Sequence, residues 1–188
     1  MTLETRELTP AMWPELERLF GKNGACAGCW CMFWRLAEGE RYDDVRGATA
    51  KRRQKRLVTA GKSLGILAFA DGEPVGWAAL GPRRDFARLD CAPSLAVDDA
   101  DEVWSVPCFF VKAGWRGQGV ARALLDAAVE AVRRRGGRLV EGYPVKLEPG
   151  ARQAAAFVYT GTEGMFRKAG FKTVARRPRG KQRVRRSL

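Results

Sequence analysis

Apolar positions recur along this chain with two different periods, and those periods divide it into helices and strands. Val120, Leu124, Ala128 and Val132 fall on one face of a helix, reinforced by Ala121 and Leu125, so the spacing predicts a helix over Gly119 to Arg135 whose apolar side is buried. Its polar side carries Arg122, Asp126, Glu130 and Arg134, the last two an i,i+4 pair. Arg133 to Arg135 suit the negative end of the dipole, and Gly136-Gly137 stop the helix.

Met12, Trp13, Leu16, Leu19 and Phe20 mark a second amphipathic helix after a weakly alternating start, with Thr9 as cap and Pro10 in the first turn. A third, polar helix is predicted from Asp43-Asp44 to about Ala60, acids at its positive end and Gly61 after it. Ser63 to Phe69 and Val75 to Leu80 read as an antiparallel pair joined at Asp71-Gly72-Glu73-Pro74. Residues 81 to 102 have no sustained period and predict a long connection that folds over a site.

Val103 to Val111 and Leu139 to Val145 are further strands, and Ala151 to Ala169 holds helical segments broken near Gly161 and Gly164. Phe171 to Arg177 and Gln182 to Arg186 close the chain as strands around Pro178-Arg179-Gly180. The succession suits an α/β fold, α+β by a stricter label, with a mixed sheet and helices on its faces. At 188 residues, the chain is read as one domain, 1–188, with 176–188 a basic segment forming the closing strand.

Composition narrows the classes. No apolar run approaches the roughly 20 residues of a membrane-spanning helix. The first residues lack the basic start and apolar stretch of an export signal, so the expectation is a cytoplasmic protein with five reduced cysteines. The net charge of +13 is partly a tail effect, because residues 176 to 188 hold seven basic side chains and no acid. A hairpin with its arginines on a solvated face accounts for that tail, and a nucleic-acid patch is the competing account that no recognised motif supports.

The richest local signal is Arg116-Gly117-Gln118-Gly119-Val120-Ala121, between a strand and the clearest helix. Such a turn aims free backbone N–H groups and the positive end of a helix dipole at one point, where a phosphate binds. Gly117 and Gly119 admit a ligand to the main chain, while Arg116 and Arg122 bracket the turn with positive charge. Neither G-x-x-x-x-G-K-S/T nor the third glycine of a dinucleotide site is present, which argues against nucleotide hydrolysis and NAD binding.

At these residues the sequence resembles the GNAT superfamily of N-acetyltransferases, whose signature, Gln/Arg-x-x-Gly-x-Gly/Ala after an apolar strand, is matched by Arg116, Gly119 and Ala121 behind Phe109-Phe110-Val111. Met165 to Phe171 is similar to the family's closing L-Y-x-x-x-G-F. The resemblance implies a largely antiparallel mixed sheet flanked by helices on both faces, with acetyl-CoA as cosubstrate. It assigns the acetyl carbonyl and pantetheine to the backbone of Phe109, Phe110 and Val111. The CoA pyrophosphate goes to the turn formed by Gly117, Gln118, Gly119, Val120, Ala121 and Arg122.

The implied reaction is transfer of the acetyl group to a primary amine by direct attack, with a backbone N–H stabilising the developing oxyanion, a contribution of about 3 kcal/mol. No histidine exists to take the proton of the amine. Glu141, on the strand after the cofactor helix, is the first candidate base, against the alternative of a solvated strand glutamate. The family's usual tyrosine acid is replaced by Phe166, so Tyr159 is the candidate phenol, with Tyr143 behind it. Phe166 equally suits a CoA-binding regulatory module that has lost catalysis. Glu163 and Cys108 are weaker candidates, and Cys108 reads most simply as a small buried residue.

Cys26, Cys29 and Cys31 are spaced closely enough to surround a zinc ion, but no histidine offers a fourth ligand, so packed thiols are preferred and no metal is assigned. Trp30, Met32, Phe33 and Trp34 around them suit an acceptor pocket or a core equally. The segment Gly28 to Met32 with Trp34-Arg35, and Gly142 to Val145, also resembles a bacterial subgroup of the family, which adds no acceptor. The expected partners are acetyl-CoA and an amine-bearing acceptor, not a membrane or nucleic acid; a homodimer is left open.

Overall fold

The computed structural model describes residues 2–146, 158–177 and 180–188. Seven strands form one sheet in the order β1-β2-β3-β4-β5-β7-β6. They are β1 (Leu3–Glu7), β2 (Leu64–Ala70), β3 (Glu73–Pro82), β4 (Val103–Val111), β5 (Leu139–Gly142), β6 (Lys172–Ala175) and β7 (Arg183–Ser187). All neighbours pair antiparallel except β4 and β5, which run parallel. The mixed, largely antiparallel sheet agrees with the expected fold class. Among the described residues five α-helices join it: α1 (Trp13–Phe20), α2 (Tyr42–Val45), α3 (Ala48–Thr59), α4 (Val120–Arg134) and α5 (Glu163–Lys168).

The pleat of the central strands sorts their side chains onto two faces. Ile66, Ala68, Ala78 and Leu80 face α4, whose Val120, Leu124, Leu125, Ala128 and Val132 are buried against them. Burying each of the larger aliphatic side chains contributes about 1.5–3 kcal/mol. Gly76 makes the close approach possible, because a Cβ there would stand 2.7 Å from Val120 Cγ1. The alternate residues Leu67, Phe69, Trp77 and Ala79 meet α1 and an aromatic cluster on the opposite face. Asp71 and Gly72 form the tight β2–β3 turn with φ of 47° and 83°, as a two-residue hairpin loop demands.

Several boundaries differ from the sequence pattern. The helix expected from Asp43 to Ala60 is two, α2 and α3, broken at Gly47 (φ 82°). Gly47 N–H donates to Gly28 O at 2.8 Å, and a Cβ on Gly28 would lie 2.8 Å from Gly47 N, so the two backbones touch where the helix would otherwise continue. Thr9 makes no side-chain capping bond. Residues 81–102 are not a loose cover: short 3-10 turns bury Arg83, Phe86, Leu89 and Leu95. The predicted strand ending at Val145 stops at Gly142, with Val145 making only isolated bridges to Thr162 and Lys181.

The closing segment is a strand, but β7 lies inside the sheet between β5 and β6. Its arginines are not on a solvated face. Arg185 pairs with Glu141 and Asp99, and Arg186 donates to Ala169 O at 2.7 Å. Residues 151–157 of the expected helical stretch, and Pro178-Arg179 of the expected turn, fall outside the described residues. Among the described residues no helix is long and apolar enough to cross a membrane.

Candidate active site

The site begins where β4 and β5 part. Their parallel pairing runs only from Val103–Leu139 to Val106–Gly142, and β4 then continues to Val111 paired with β3 alone. Lys112 N–H donates to Val75 O in β3, so by the alternation of the strand the N–H groups of Phe109 and Val111 face the opening. A cavity of ≈ 1300 Å³ lies along this opening, reaching from Arg116–Arg122 at one end to Cys26, Phe33, Trp34 and Tyr42 at the other.

At the first end the chain passes from β4 through Arg116–Gly119 into α4. Gly117 (φ 76°) and Gly119 (φ 83°) are left-handed, and a Cβ at either would meet no protein atom within 4 Å. Backbone conformation and open space for a ligand, not internal crowding, therefore account for these glycines. No side chain caps α4, and its first intrahelical bond, from Ala123 N–H to Gly119 O, leaves the earlier N–H groups for an anion. Arg116 and Arg122 line the cavity as expected; Arg116 Nε also donates to Val111 O at 3.1 Å and Arg122 Nε to Asp126 at 2.8 Å. Arg167 and Lys168, from the end of α5, add positive charge that the sequence reading did not assign. Gln118 turns away to Gly114 O at 2.7 Å.

The backbone expected to meet the acetyl carbonyl is partly occupied. Phe109 N–H donates to Tyr159 O at 2.6 Å, which leaves Val111 N–H as the strand donor on the open side. Phe109 and Phe110 line the cavity while their rings serve the two cores: Phe109 packs edge-on to Phe166, and Phe110 to Phe20.

Tyr159 lines the cavity among Phe33, Trp34 and Lys181. Burial, with Cys108 and Cys29 nearby, pushes its phenol well above the usual tyrosine value, so it is held protonated at neutral pH. Phe166, at the family's tyrosine position, is buried between Gly142 and Gly161 and does not line the cavity.

Glu141 is misplaced for a base. Fully buried, its carboxylate accepts from Tyr143 Oη at 2.8 Å and Arg185 Nε at 2.7 Å, with Arg83 Nη1 at 3.5 Å. Tyr143 is equally enclosed, taking bonds from Arg83 and sharing one with Ser105. Neither residue lines the cavity. The network is an ionic core beside the site: alternation puts Glu141 opposite the apolar Val140, and the arginines that neutralise it come from β7 and a distant turn. Glu163 also stands off the cavity, at the start of α5.

Cys108, read from sequence as a packing residue, lines the cavity with Cys26, Cys29 and Cys31. Among the described residues no set of three or more metal-ligating side chains is grouped to hold an ion. Tyr42, raised to about 12 by burial and the neighbouring cysteines, completes the wall and donates to Ala27 O at 3.1 Å. Its position depends on the break between α2 and α3, for which Gly47 was the available signal.

Known proteins share this fold. The family model described as acetyltransferase (GNAT) family matches residues 23–154. A PaiA N-acetyltransferase from Thermoplasma acidophilum, solved in complex with coenzyme A, superposes with a TM-score of 0.58 at 15% identity over 100% of both chains. A GCN5-related N-acetyltransferase from Kribbella flavida gives 0.58 at 21% identity, covering 99% of this chain and 98% of its own. A polyamine N-acetyltransferase from Drosophila melanogaster that forms N-acetylagmatine gives 0.60 at 12% identity over 100% of both. A comparison with curated proteins finds no match. With most of its length covered by that model, and with the β4–β5 pairing that ends early and the uncapped helix described above, this chain belongs to the acetyltransferase (GNAT) family and is an acyltransferase that draws on CoA.

Proposed function

We propose that the protein transfers an acetyl group from acetyl-CoA to a primary amine by direct attack within a ternary complex. The observation that carries this reading is the continuity of the cavity: one opening joins the uncapped, arginine-flanked start of α4 to an aromatic wall, past the free edge of β4. The CoA diphosphate suits the N–H groups after Gly117, and the pantetheine arm then follows Phe109 to Val111. The amine enters between Phe33, Trp34 and Tyr42, so the two substrates meet without a long intermediate step. Val111 N–H supplies the strand donor to the oxyanion. Tyr159, protonated and on the cavity wall, supplies the proton to the departing CoA thiolate.

A thiol-release assay with acetyl-CoA and a panel of small amines, amino acids and peptides tests this, with initial-rate lines that intersect rather than run parallel. Tyr159→Phe is expected to lower kcat about 10- to 100-fold with little change in CoA affinity. Unchanged kcat would remove Tyr159 from the reaction. CoA binding without thiol release from any acceptor would favour the regulatory CoA-binding module, the reading that Phe166 at the family's tyrosine position supports.

A further inference from the structure

Four of the five cysteines, Cys26, Cys29, Cys31 and Cys108, line the same cavity, and two of them meet. Cys108 is the β4 residue immediately before Phe109, and its thiol neighbours that of Cys31. Cys31 sits in a segment where Ala25, Ala27, Trp30 and Cys31 all have positive φ, from 43° to 68°. Side chains rarely adopt this backbone, and it persists only where the surroundings enforce it. They do so here. Trp30 stacks on Trp13, Tyr42 Oη holds Ala27 O, and Gly28 is clamped to Gly47.

The pocket around the Cys31 sulfur is made for an anion. Trp77 Nε1–H donates to it at 3.2 Å, the Cys108 thiol is its neighbour, and Arg35 contributes positive charge. The Arg35 side chain is only 8% exposed, and its Nη2 is buried with no hydrogen-bond partner. These groups hold the Cys31 thiol below the usual cysteine value against the opposing effect of burial, while Cys108 is driven well above it. Cys29, on the same wall, shows the reverse, pushed up by burial to about 11. Cys31, which accepts the Trp77 N–H bond, is therefore the better nucleophile of the two cavity-lining thiols and Cys108 the better proton donor, the two roles that thiol–disulfide exchange requires.

We infer that Cys31 and Cys108 form a redox-active dithiol whose substrate is the disulfide of CoA, giving the protein an exchange activity beside acetyl transfer. The inference rests on the proposed CoA site, which brings the pantetheine sulfur to β4 next to Cys108. The Cys31 thiolate attacks one sulfur of the CoA disulfide; that S–S bond breaks, a Cys31–CoA mixed disulfide forms and CoA thiolate leaves. This thiolate takes the Cys108 proton. The Cys108 sulfur then attacks Cys31, forming the internal disulfide and expelling the second CoA as thiolate. Two electrons pass from the dithiol to the CoA disulfide, and the products are one CoA thiol and one CoA thiolate. The new bond spans the acceptor wall and β4, so acetyl transfer stops until a thiol reductant reopens it.

The test mixes the reduced full-length protein with CoA disulfide and follows released CoA, intact mass and non-reduced peptide maps. Wild type is expected to release both CoA halves and yield a Cys31–Cys108 cross-link. Cys108→Ser should stop after the first, with CoA held on Cys31, and Cys31→Ser should lose the fast reaction. Because bound CoA disulfide is presented at high effective concentration, it should react at least about tenfold faster than glutathione disulfide. Equal rates for the two disulfides, wild-type rates in Cys31→Ser, or CoA found on other cysteines would overturn the inference. CoA-induced thermal shifts of all three proteins separate the failures: a shift without exchange ends the dithiol inference alone, and no shift ends the CoA site with it.

Discussion

The two faces of the sheet are built by different means. On the α4 face a regular helix lays one apolar stripe on Ile66, Ala68, Ala78 and Leu80, and the cofactor turn is simply the start of that helix. On the opposite face α1 and an irregular segment place Trp13, Phe20, Trp30, Trp34 and Trp77 around the cysteines, beside the buried Arg83–Glu141–Arg185 network. On the function proposed above, the first face binds CoA through main chain and should tolerate variation in side chains. The second depends on particular side chains held by long-range contacts, so its chemistry is specific and its tolerance small.

The sharpest test of this difference sets Glu141→Gln against Leu124→Ala. Removing the charge from Glu141 leaves Arg83, fully buried, and Arg185 without their shared carboxylate, at a cost of about 3–5 kcal/mol. Leu124→Ala opens a cavity on the regular face and costs about 2–5 kcal/mol. Denaturant unfolding of both measures this, and the folded Glu141→Gln fraction should bind CoA with wild-type affinity. A Glu141→Gln protein of undiminished stability but lost turnover would restore Glu141 as the base and erase the contrast.

The same contrast explains what the sequence made legible. The period of Val120, Leu124, Ala128 and Val132 and the glycines at 117 and 119 are local signals, so the helix, the turn and the family were readable from them. Glu141 was misjudged because a strand glutamate looks alike whether it faces water or a buried arginine, and Arg83 and Arg185 lie 58 and 44 residues away along the chain. Cys108 looked like a packing residue because its partner, Cys31, comes from another element. Tyr159 was placed in the cavity because the chain turns at Gly161 (φ 85°), a break that glycine announced. The position of β7 between β5 and β6 has no local signature at all.

A second test asks whether the cofactor face truly works through main chain. Gly119→Val puts a β-branched residue at φ 83°, which strains the turn by about 1–3 kcal/mol or re-aims its N–H groups. CoA affinity by calorimetry should fall about 10- to 100-fold. Arg122→Ala, whose guanidinium is shared with Asp126, should fall less. If Arg122→Ala weakened CoA more than Gly119→Val, side-chain charge rather than backbone geometry would carry the site.

The smallest expected effect lies at the outer end of the same arginine. Arg185 gives Nε to the buried Glu141 and its two terminal nitrogens to Asp99 at 2.6 and 2.7 Å, where the Asp99 side chain is 39% exposed. The hydrogen bonds from Arg185, then its charge, hold the Asp99 carboxyl below the usual aspartate value. A carboxyl depressed in the folded state stabilises it above its unfolded pKa of about 4, and that contribution is lost as pH falls through the folded value. Solvent screening keeps it below about 1 kcal/mol. Asp99→Asn should therefore melt slightly below wild type at neutral pH, and the gap should close as the wild-type Asp99 protonates in acid. A gap as large as that of Glu141→Gln, or one that widens in acid, would mean that Asp99 belongs to the buried network and that the ionic core extends to the rim of the sheet.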